Sequence, residues 1–267
     1  MGIEEVLRDM TAISEAVILM AGEGSRLRQG YVGQARLRRS DNTFLKPFVP
    51  LLGRPLISYA LDALIRAGIK TVDFVVGYES GRMIEQVKQF LPSDVSASFI
   101  ENRAWQKQNG ISLLAAAGHV SRPFLLTMSD HLFDDAVVDR LLDSSEPGFL
   151  NIAVDRKLDS IFDLEDAMKV QTCGDRITEI GKNLRHYDAI DTGLFVCPVE
   201  IFDYLEWAKS GNRRSDCSLA DAVQLMASDR NVRAIDIGDA WWQDVDTPQM
   251  LKYAERQMSE RMQSATT

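Results

Sequence analysis

Two glycines and an arginine follow an apolar run near the start of the chain, within the segment AVILMAGEGSRLRQG. Gly22 and Gly24 can adopt positive φ angles, and they let backbone N–H groups approach a ligand closely. Arg26 can donate paired hydrogen bonds to phosphate oxygens. These residues predict an anion-binding turn at the exit of a buried strand, with a nucleotide phosphate as the commonest ligand. A tight structural turn is the alternative.

A second candidate cation lies beyond a polar segment of the chain. Lys46 precedes a proline, and a residue in that position is held in an extended conformation. A lysine held there could act as a point charge on phosphate, while a solvated surface lysine is the alternative. We interpret residues 27–45 as a long basic loop, in which Arg36, Arg38 and Arg39 could form a lid over a ligand or only a solvated insertion.

Three aspartates follow or continue predicted extended segments. Asp130 follows a strand predicted over 123–128, and open α/β sheets bind ligands outside the carboxyl ends of their strands. Asp244 and Asp246 alternate along an extended segment, so both side chains point to the same side. Mg²⁺ takes one or two carboxylates plus phosphate oxygens, so Asp130 is a natural magnesium ligand. Capping the helix that begins after Thr247 is the alternative for Asp246.

A third group of polar residues could bind a second substrate. Lys182 follows a predicted strand and could bind another phosphate. Asp191, Thr192 and Gly193 offer a carboxylate, a hydroxyl and open backbone to a polyol. Asn109 could reach a ribose or a base, or could cap its own helix. His131 is interpreted as structural or as shaping the pocket.

Strands alternate with helices in the first half of the chain, which predicts βαβ units on a largely parallel sheet. Nearly continuous apolar runs predict buried strands over 15–21, 72–76, 95–101 and 123–128. Helices are predicted over 55–67, 80–90 and 111–120. After Gly148, four short segments predict mixed or antiparallel strands. No linker rich in proline, glycine or serine divides the chain, so we expect a single α/β domain over 1–267, with 1–14 as an N-terminal extension.

Composition excludes several classes of protein. The formal net charge of -9 is opposite to that of most nucleic-acid binders. The three cysteines are too few and too widely spaced to predict a disulfide framework or a zinc site, which fits a reducing cytoplasm. No apolar stretch approaches the about 20 residues needed to span a bilayer. We therefore expect a cytoplasmic protein with small-molecule substrates and no nucleic-acid partner.

The two cationic motifs together resemble the N-terminal signature of nucleotidylyltransferases, a strand and a glycine-rich loop with Ser/Thr-Arg-Leu, followed by Lys-Pro and another strand. The matching residues are Gly22, Gly24, Ser25, Arg26, Leu27, Lys46 and Pro47. The segments MSDH, IGKNL, YDAIDTG and WWQDVDT, in this order, are similar to those of CTP:inositol-1-phosphate cytidylyltransferases. The resemblance runs from about Glu15 to the final helix. One departure is that the segment between Arg26 and Lys46 is longer than the family pattern.

The resemblance implies a Rossmann-like (GT-A-like) fold with a mostly parallel mixed central sheet. It also implies CMP transfer from CTP to a small phosphorylated alcohol, with inositol 1-phosphate as the leading candidate for the acceptor and Mg²⁺ as cofactor. Arg26 and Lys46 would neutralise the triphosphate, and Lys182 would hold the acceptor phosphate in line. The implied metal ligands are Asp130, Asp244 and Asp246. Nucleotide contacts are implied for Ala21, Gly22, Gly24, Ser25, Asn109, Gly110 and Ser112. Acceptor contacts are implied for Lys182, Asp191, Thr192 and Gly193.

Members of this family are often fused to a membrane-embedded CDP-alcohol phosphotransferase. The sequence contains no such segment, so we expect a free-standing cytidylyltransferase. Two other functions remain open from the residues alone. One is a nucleotidylyltransferase for another acceptor, such as a sugar 1-phosphate, phosphocholine or an alkylphosphonate. The other is a non-catalytic nucleotide-sensing module, which would be expected to lack Lys46, Asp130 or Asp244.

Overall fold

Strands and helices alternate through the computed structural model, which describes residues 13–34 and 44–264. The strands are β1 (Glu15–Met20), β2 (Pro50–Leu51), β3 (Arg54–Pro55), β4 (Thr71–Val76), β5 (Ser96–Glu101), β6 (Phe124–Met128), β7 (His131–Phe133), β8 (Leu150–Asp155), β9 (Lys169–Cys173), β10 (Arg176–Gly181), β11 (Ala189–Cys197), β12 (Val232–Asp236) and β13 (Trp242–Asp244). The helices are α1 (Ser25–Gln34), α2 (Leu56–Arg66), α3 (Ser80–Val87), α4 (Asn109–Leu114), α5 (Asp135–Ser144), α6 (Ile201–Gly211), α7 (Leu219–Ser228) and α8 (Pro248–Ser264).

The main sheet is mixed, and its strand order brings distant segments to one edge. The order is β5-β4-β1-β6-β11-β8-β12-β10-β9. β5, β4, β1 and β6 are parallel to one another, as the apolar runs predict. β11 runs antiparallel to β6 and β8. The start of β11 therefore lies at the same edge as the carboxyl ends of β1, β4 and β6.

Both faces of the sheet are covered, which explains the continuous apolar runs. In β1, Val17 and Leu19 pack into one core cluster, whereas Ala16 and Ile18 pack into another. A strand that is buried on both faces has no solvent side, so its sequence does not alternate between apolar and polar residues. The four strands predicted in the first half are confirmed to within one residue at each end.

A two-stranded ribbon beside the main sheet positions the candidate site. β7 pairs antiparallel with β13, which places Asp244 opposite His131. The ribbon is anchored by a third core cluster, to which Leu132 and Val245 contribute. β7 is missing from the sequence prediction, because three residues carry too short a pattern to indicate a strand.

The prediction of a loop over 27–45 is wrong for its first part, because α1 covers Ser25–Gln34. Leu27 is fully buried in the third core cluster. Gly30 approaches α8 so closely that an added Cβ would lie 2.2 Å from Pro248 Cγ. These two contacts, one buried leucine and one glycine, do not produce an apolar stripe along α1. The sequence of this polar helix therefore lacks the periodicity by which a helix is recognised. The predicted lid residues Arg36, Arg38 and Arg39 lie outside the described residues, as does most of the N-terminal extension.

Two further helix boundaries differ from prediction. α3 ends at Val87 and α4 at Leu114, several residues before the predicted ends.

Within the described ranges, no helix combines the length and the apolar character needed to cross a bilayer.

Candidate active site

Two neighbouring cavities bring together most of the polar residues that the sequence singles out. The smaller cavity, of about 290 Å³, lies beyond the ends of β1 and β6. Its lining includes Ala21, Gly22, Gly24, Ser25, Arg26, Lys46, Asn109, Ser112, Asp130 and Asp246. The larger cavity, of about 490 Å³, is lined in part by His131, Asp166, Lys182, Asp191, Gly193, Asp244 and Asp246. Asp246 lines both cavities, so it marks the place where they meet.

The glycine loop and Lys46 fit directly against each other. Lys46 begins a 3-10 turn, Lys46–Phe48, and is only 8% exposed. Gly24 has a φ of +66°, and a Cβ added there would lie 2.6 Å from Lys46 Cβ. Gly22 has no atom within 4 Å of such a position. Gly24 is therefore needed for the approach of the lysine, whereas the backbone at Gly22 has open space around it.

Gly24→Ala is expected to lower the free energy of unfolding by about 1 kcal/mol or more. The left-handed conformation alone costs an L-residue about 1–2 kcal/mol, and the new methyl group would also displace Lys46. Gly22→Ala is the matched control, because its φ is not positive and its surroundings are open. Urea unfolding of both variants measures the difference, and equal losses of stability would contradict this account of Gly24.

Lys46 is the cation at the centre of a carboxylate cluster. Its ammonium contacts Asp130 and lies 2.5 Å from Asp246 Oδ1. Burial alone would lower the pKa of Lys46, but the two carboxylates more than offset burial and raise it. Burial would likewise raise the pKa of Asp130, but Lys46 and His131 hold it well below its usual range. Lys46 and Asp130 are therefore both charged at neutral pH.

The capping alternative for Asp246 is not what the structure shows. The Thr247 hydroxyl accepts a hydrogen bond from the Met250 N–H at 3.2 Å and thus caps α8. The Asp246 carboxylate instead faces the site, where its other oxygen lies 2.5 Å from Arg26 Nη2. Asp246 therefore joins the two cations of the first motifs.

His131 has a more specific place than the sequence indicates. Its Nδ1 lies 2.9 Å from Asp130 Oδ1. On the other side of the ring, a Cβ at Gly193 would lie 2.3 Å from Nε2, and Gly193 has a φ of +76°. Asp244 is its partner across the ribbon. Adjacent residues thus serve different cavities, since Asp130 lines the smaller one and His131 the larger one.

Asp244 and Asp191 are partly buried carboxylates beside the larger cavity. Burial raises the pKa of Asp244, and the nearby Asp246 and Asp130 carboxylates raise it further against the opposing effect of His131. Burial raises the pKa of Asp191 to about 6, although its Oδ1 accepts a hydrogen bond from the Gly193 N–H at 2.8 Å. In the part of the chain that the structure describes, neither carboxylate forms an ion pair, and the opposing effect of His131 does not offset burial.

Thr192 does not line either cavity, contrary to its place in the predicted acceptor set. It is 0% exposed, and its hydroxyl donates to the Ala153 carbonyl at 2.9 Å. Gly110 also lies outside the cavity linings, because its Cα packs against backbone: an added Cβ would lie 2.6 Å from Cys217 O. Both residues serve packing within the fold.

Asn109 and Ser112 line the smaller cavity but already have structural partners. The Asn109 side-chain oxygen accepts from the Leu219 N–H at 2.9 Å, at the start of α7, so it does not cap its own helix. The Ser112 hydroxyl accepts from Asn102 Nδ2 at 3.0 Å. Nucleotide contacts by these two side chains remain a prediction.

Sequence reasoning missed Asp166, which links both ends of the site. One carboxylate oxygen lies 2.6 Å from Arg26 Nη1 and the other 2.5 Å from Lys182 Nζ. Asp166 lies in an irregular segment before β9, where no motif distinguishes it from other acidic surface residues. Only its spatial relation to the two cations reveals its position.

Comparison with known proteins places this arrangement in a family. A family model described as the MobA-like NTP transferase domain matches residues 16–161. The chain belongs to this family. The match includes Gly22, Gly24, Arg26, Lys46 and Asp130, so the glycine loop and the cations of the smaller cavity lie within the part that defines this nucleotidyltransferase.

Individual relatives extend the similarity over most of the chain. A bifunctional IPC transferase and DIPP synthase of Rubrobacter xylanophilus is 34% identical over 90% of this NTP transferase, and one of Aquifex aeolicus is 30% identical over 91%. The chain spans about half the length of these curated relatives, 51% in each case. The solved structure of the inositol-1-phosphate CTP transferase from T. maritima superposes with a TM-score of 0.77 at 27% identity, covering 91% of this chain and 94% of that one.

Proposed function

We propose that this nucleotidyltransferase transfers CMP from CTP to inositol 1-phosphate, giving CDP-inositol and pyrophosphate. The observation that carries the proposal is the placement of Lys46 and Lys182 in adjoining cavities that meet at Asp246. A reaction that joins two phosphates needs a cationic group on each side of the new bond. The names of the bifunctional relatives and of the T. maritima enzyme support an inositol phosphate as the acceptor.

The chemistry requires no general base. The second pKa of a phosphate monoester is about 6, so the acceptor is already largely dianionic at neutral pH. One of its oxygens attacks the α-phosphorus of CTP, and the bond from that phosphorus to the oxygen bridging to the β-phosphorus breaks. Pyrophosphate leaves with that electron pair. Catalysis consists of positioning and charge neutralisation, for which Arg26 and Lys46 act on the triphosphate and Lys182 on the acceptor.

The carboxylates of the cluster fit a magnesium ion. Asp130, Asp244 and Asp246 supply hard oxygen donors, and within the described residues Lys46 contacts Asp130 and Asp246 but not Asp244. Across the ranges that the structure covers, no group of three or more His, Cys, Asp or Glu residues is arranged to hold a metal. Mg²⁺ commonly uses only one or two carboxylates together with substrate phosphates. When bound, Mg²⁺ would neutralise charge on the α-phosphate.

A screen of nucleoside triphosphates against phosphorylated acceptors, with pyrophosphate release as the readout, tests the proposal. We expect CTP with inositol 1-phosphate to give the highest kcat/KM. A higher value with a sugar 1-phosphate, phosphocholine or an alkylphosphonate would replace the acceptor while keeping the reaction class. Absence of pyrophosphate release with every pair would instead favour a nucleotide-sensing module.

Lys182→Ala is expected to raise the KM for the acceptor by about tenfold or more, because a charged hydrogen bond to phosphate contributes about 1.5–3 kcal/mol. The affinity for CTP should change little, since Lys182 lines only the larger cavity. Steady-state kinetics and calorimetry with CTP measure the two effects. Lys209→Ala, which removes a partly exposed lysine paired with Glu206 on α6, is the control. Loss of CTP binding in Lys182→Ala alone would show that the two ends of the site are reversed.

A further inference from the structure

Asp166 contacts an arginine of one cavity and a lysine of the other. Arg26 lies between Asp166 and Asp246, at 2.6 and 2.5 Å, and Lys182 lies 2.5 Å from the second oxygen of Asp166. Arg26 lines the smaller cavity and Lys182 the larger one. A single carboxylate therefore sets the separation of two groups that would hold opposite reactants.

The backbone on both sides of this contact is tied together by a buried lysine. Lys169 is 8% exposed, and its ammonium donates to the carbonyls of Glu165, Ala167 and Lys182 at 3.0, 3.3 and 2.8 Å. Glu165 and Ala167 flank Asp166. The segment that carries Asp166 is thus bonded, through one ammonium, to the turn that carries Lys182. Two independent links, one between side chains and one through Lys169, hold these residues in register.

The Asp166 contacts contribute little to folding stability. The side chains of Arg26, Asp166 and Lys182 are 52%, 37% and 46% exposed, and ion pairs at such positions contribute about 0–1 kcal/mol. Burial would raise the pKa of Asp166, but its hydrogen bonds with Lys182 and Arg26 lower it. The carboxylate is therefore ionised at neutral pH and can orient both cations.

We propose that Asp166 is a positioning residue that orients Lys182 and Arg26 so that the acceptor phosphate meets the α-phosphorus of the nucleotide in line. The inference rests on the proposed function for the identity of the two phosphates. Asp166 itself is an anion and would not bind either phosphate. Its effect would come through the geometry of the cations, so it should act on the rate of the bound complex rather than on acceptor affinity.

Asp166→Asn tests the proposal, because it keeps the shape of the side chain and removes its charge. We expect kcat to fall by about ten- to a hundredfold, the scale of misplacing reacting groups by a fraction of an ångström to 1 Å. The KM for the acceptor should not rise, since no phosphate contact is lost. Asp166→Glu, which restores the charge, should have a higher kcat than Asp166→Asn. Glu165→Gln is the matched control: it removes the neighbouring exposed acidic group, which does not line either cavity.

Three outcomes would overturn the proposal. The first is a kcat of Asp166→Asn equal to that of Glu165→Gln. The second is a rise in acceptor KM at unchanged kcat, which would make Asp166 a binding residue. The third is that Asp166→Asn and Asp166→Glu lower kcat to the same extent and also lower the melting temperature to the same extent, which would make the role structural. Failure of the proposed function is separate, because it would appear in the wild-type screen. The variants would then be compared with the acceptor that the screen identifies.

Discussion

Asp130→Asn is expected to reduce nucleotidyl transfer by at least about a thousandfold while the fold persists. The carboxylate lies at the carboxyl end of β6 and lines the smaller cavity beside Lys46. A cation held there would stabilise the transition state by several kcal/mol, and each 1.36 kcal/mol corresponds to about tenfold in rate. Lys46 keeps Asp246 as a partner in the variant, so the cluster retains an ion pair.

The measurement is kcat/KM with saturating Mg²⁺, accompanied by thermal melting. Asp135→Asn is the control, because it removes an exposed aspartate that pairs with Arg66 on the protein surface a few residues further along the chain. Activity of Asp130→Asn within about tenfold of wild type would contradict a metal-binding role, since that loss corresponds to only about 1.4 kcal/mol.

Lys46→Met is expected to lower transfer by about a hundredfold or more and, at the same time, to strengthen divalent-cation binding in the absence of nucleotide. The ammonium contacts the Asp130 and Asp246 carboxylates, the same groups that would hold Mg²⁺. At a partly buried site, two unit charges 4 Å apart interact by about 4 kcal/mol. Removing this resident cation should therefore raise the affinity for Mn²⁺, used as a paramagnetic probe, by about tenfold or more.

Mn²⁺ titration followed by electron paramagnetic resonance, without nucleotide, measures the second effect separately from activity. The variant should also melt at a lower temperature, because its partly buried carboxylates lose a partner, and Mn²⁺ should restore part of the loss. Lys209→Met, on the exposed face of α6, serves as the control for a change in total charge. Unchanged Mn²⁺ affinity in Lys46→Met would show that the lysine and the metal use different groups.

The sequence by itself predicts the strands of the first half and the polar residues that follow β1 and β6. β1 and β6 are buried on both faces, so their apolar runs are continuous and easy to recognise. Gly24 and Asp130 follow directly at the carboxyl ends, where the direction of parallel strands dictates that ligand-facing residues gather. These features depend on short stretches of chain and on the general geometry of parallel sheets.

The antiparallel half of the site depended on registers that the sequence does not display. In β11, Asp191 and Gly193 line the larger cavity while Thr192 turns into the core, which follows the alternation of side chains along a strand. The pairing of β11 with β8 shifts between Asp191 and Phe195. Which face of β11 meets the cavity depends on this pairing and on the position of β11 beside β6, and neither can be recognised in the sequence pattern.

Contacts between distant segments decided which groups work together. Sequence patterns identify Arg26, Lys46 and Lys182 as separate cations, but Asp166 and Asp246 become their partners only when segments far apart in the chain meet. Local propensity carries no information about such pairs, because an ion pair depends on the relative placement of the elements that carry it. An acidic residue in an irregular segment also belongs to no periodic pattern that would distinguish it. The sequence by itself thus determined the strands of the first half and the chemical type of the site, and the tertiary structure alone decided which charged groups of the site pair with one another.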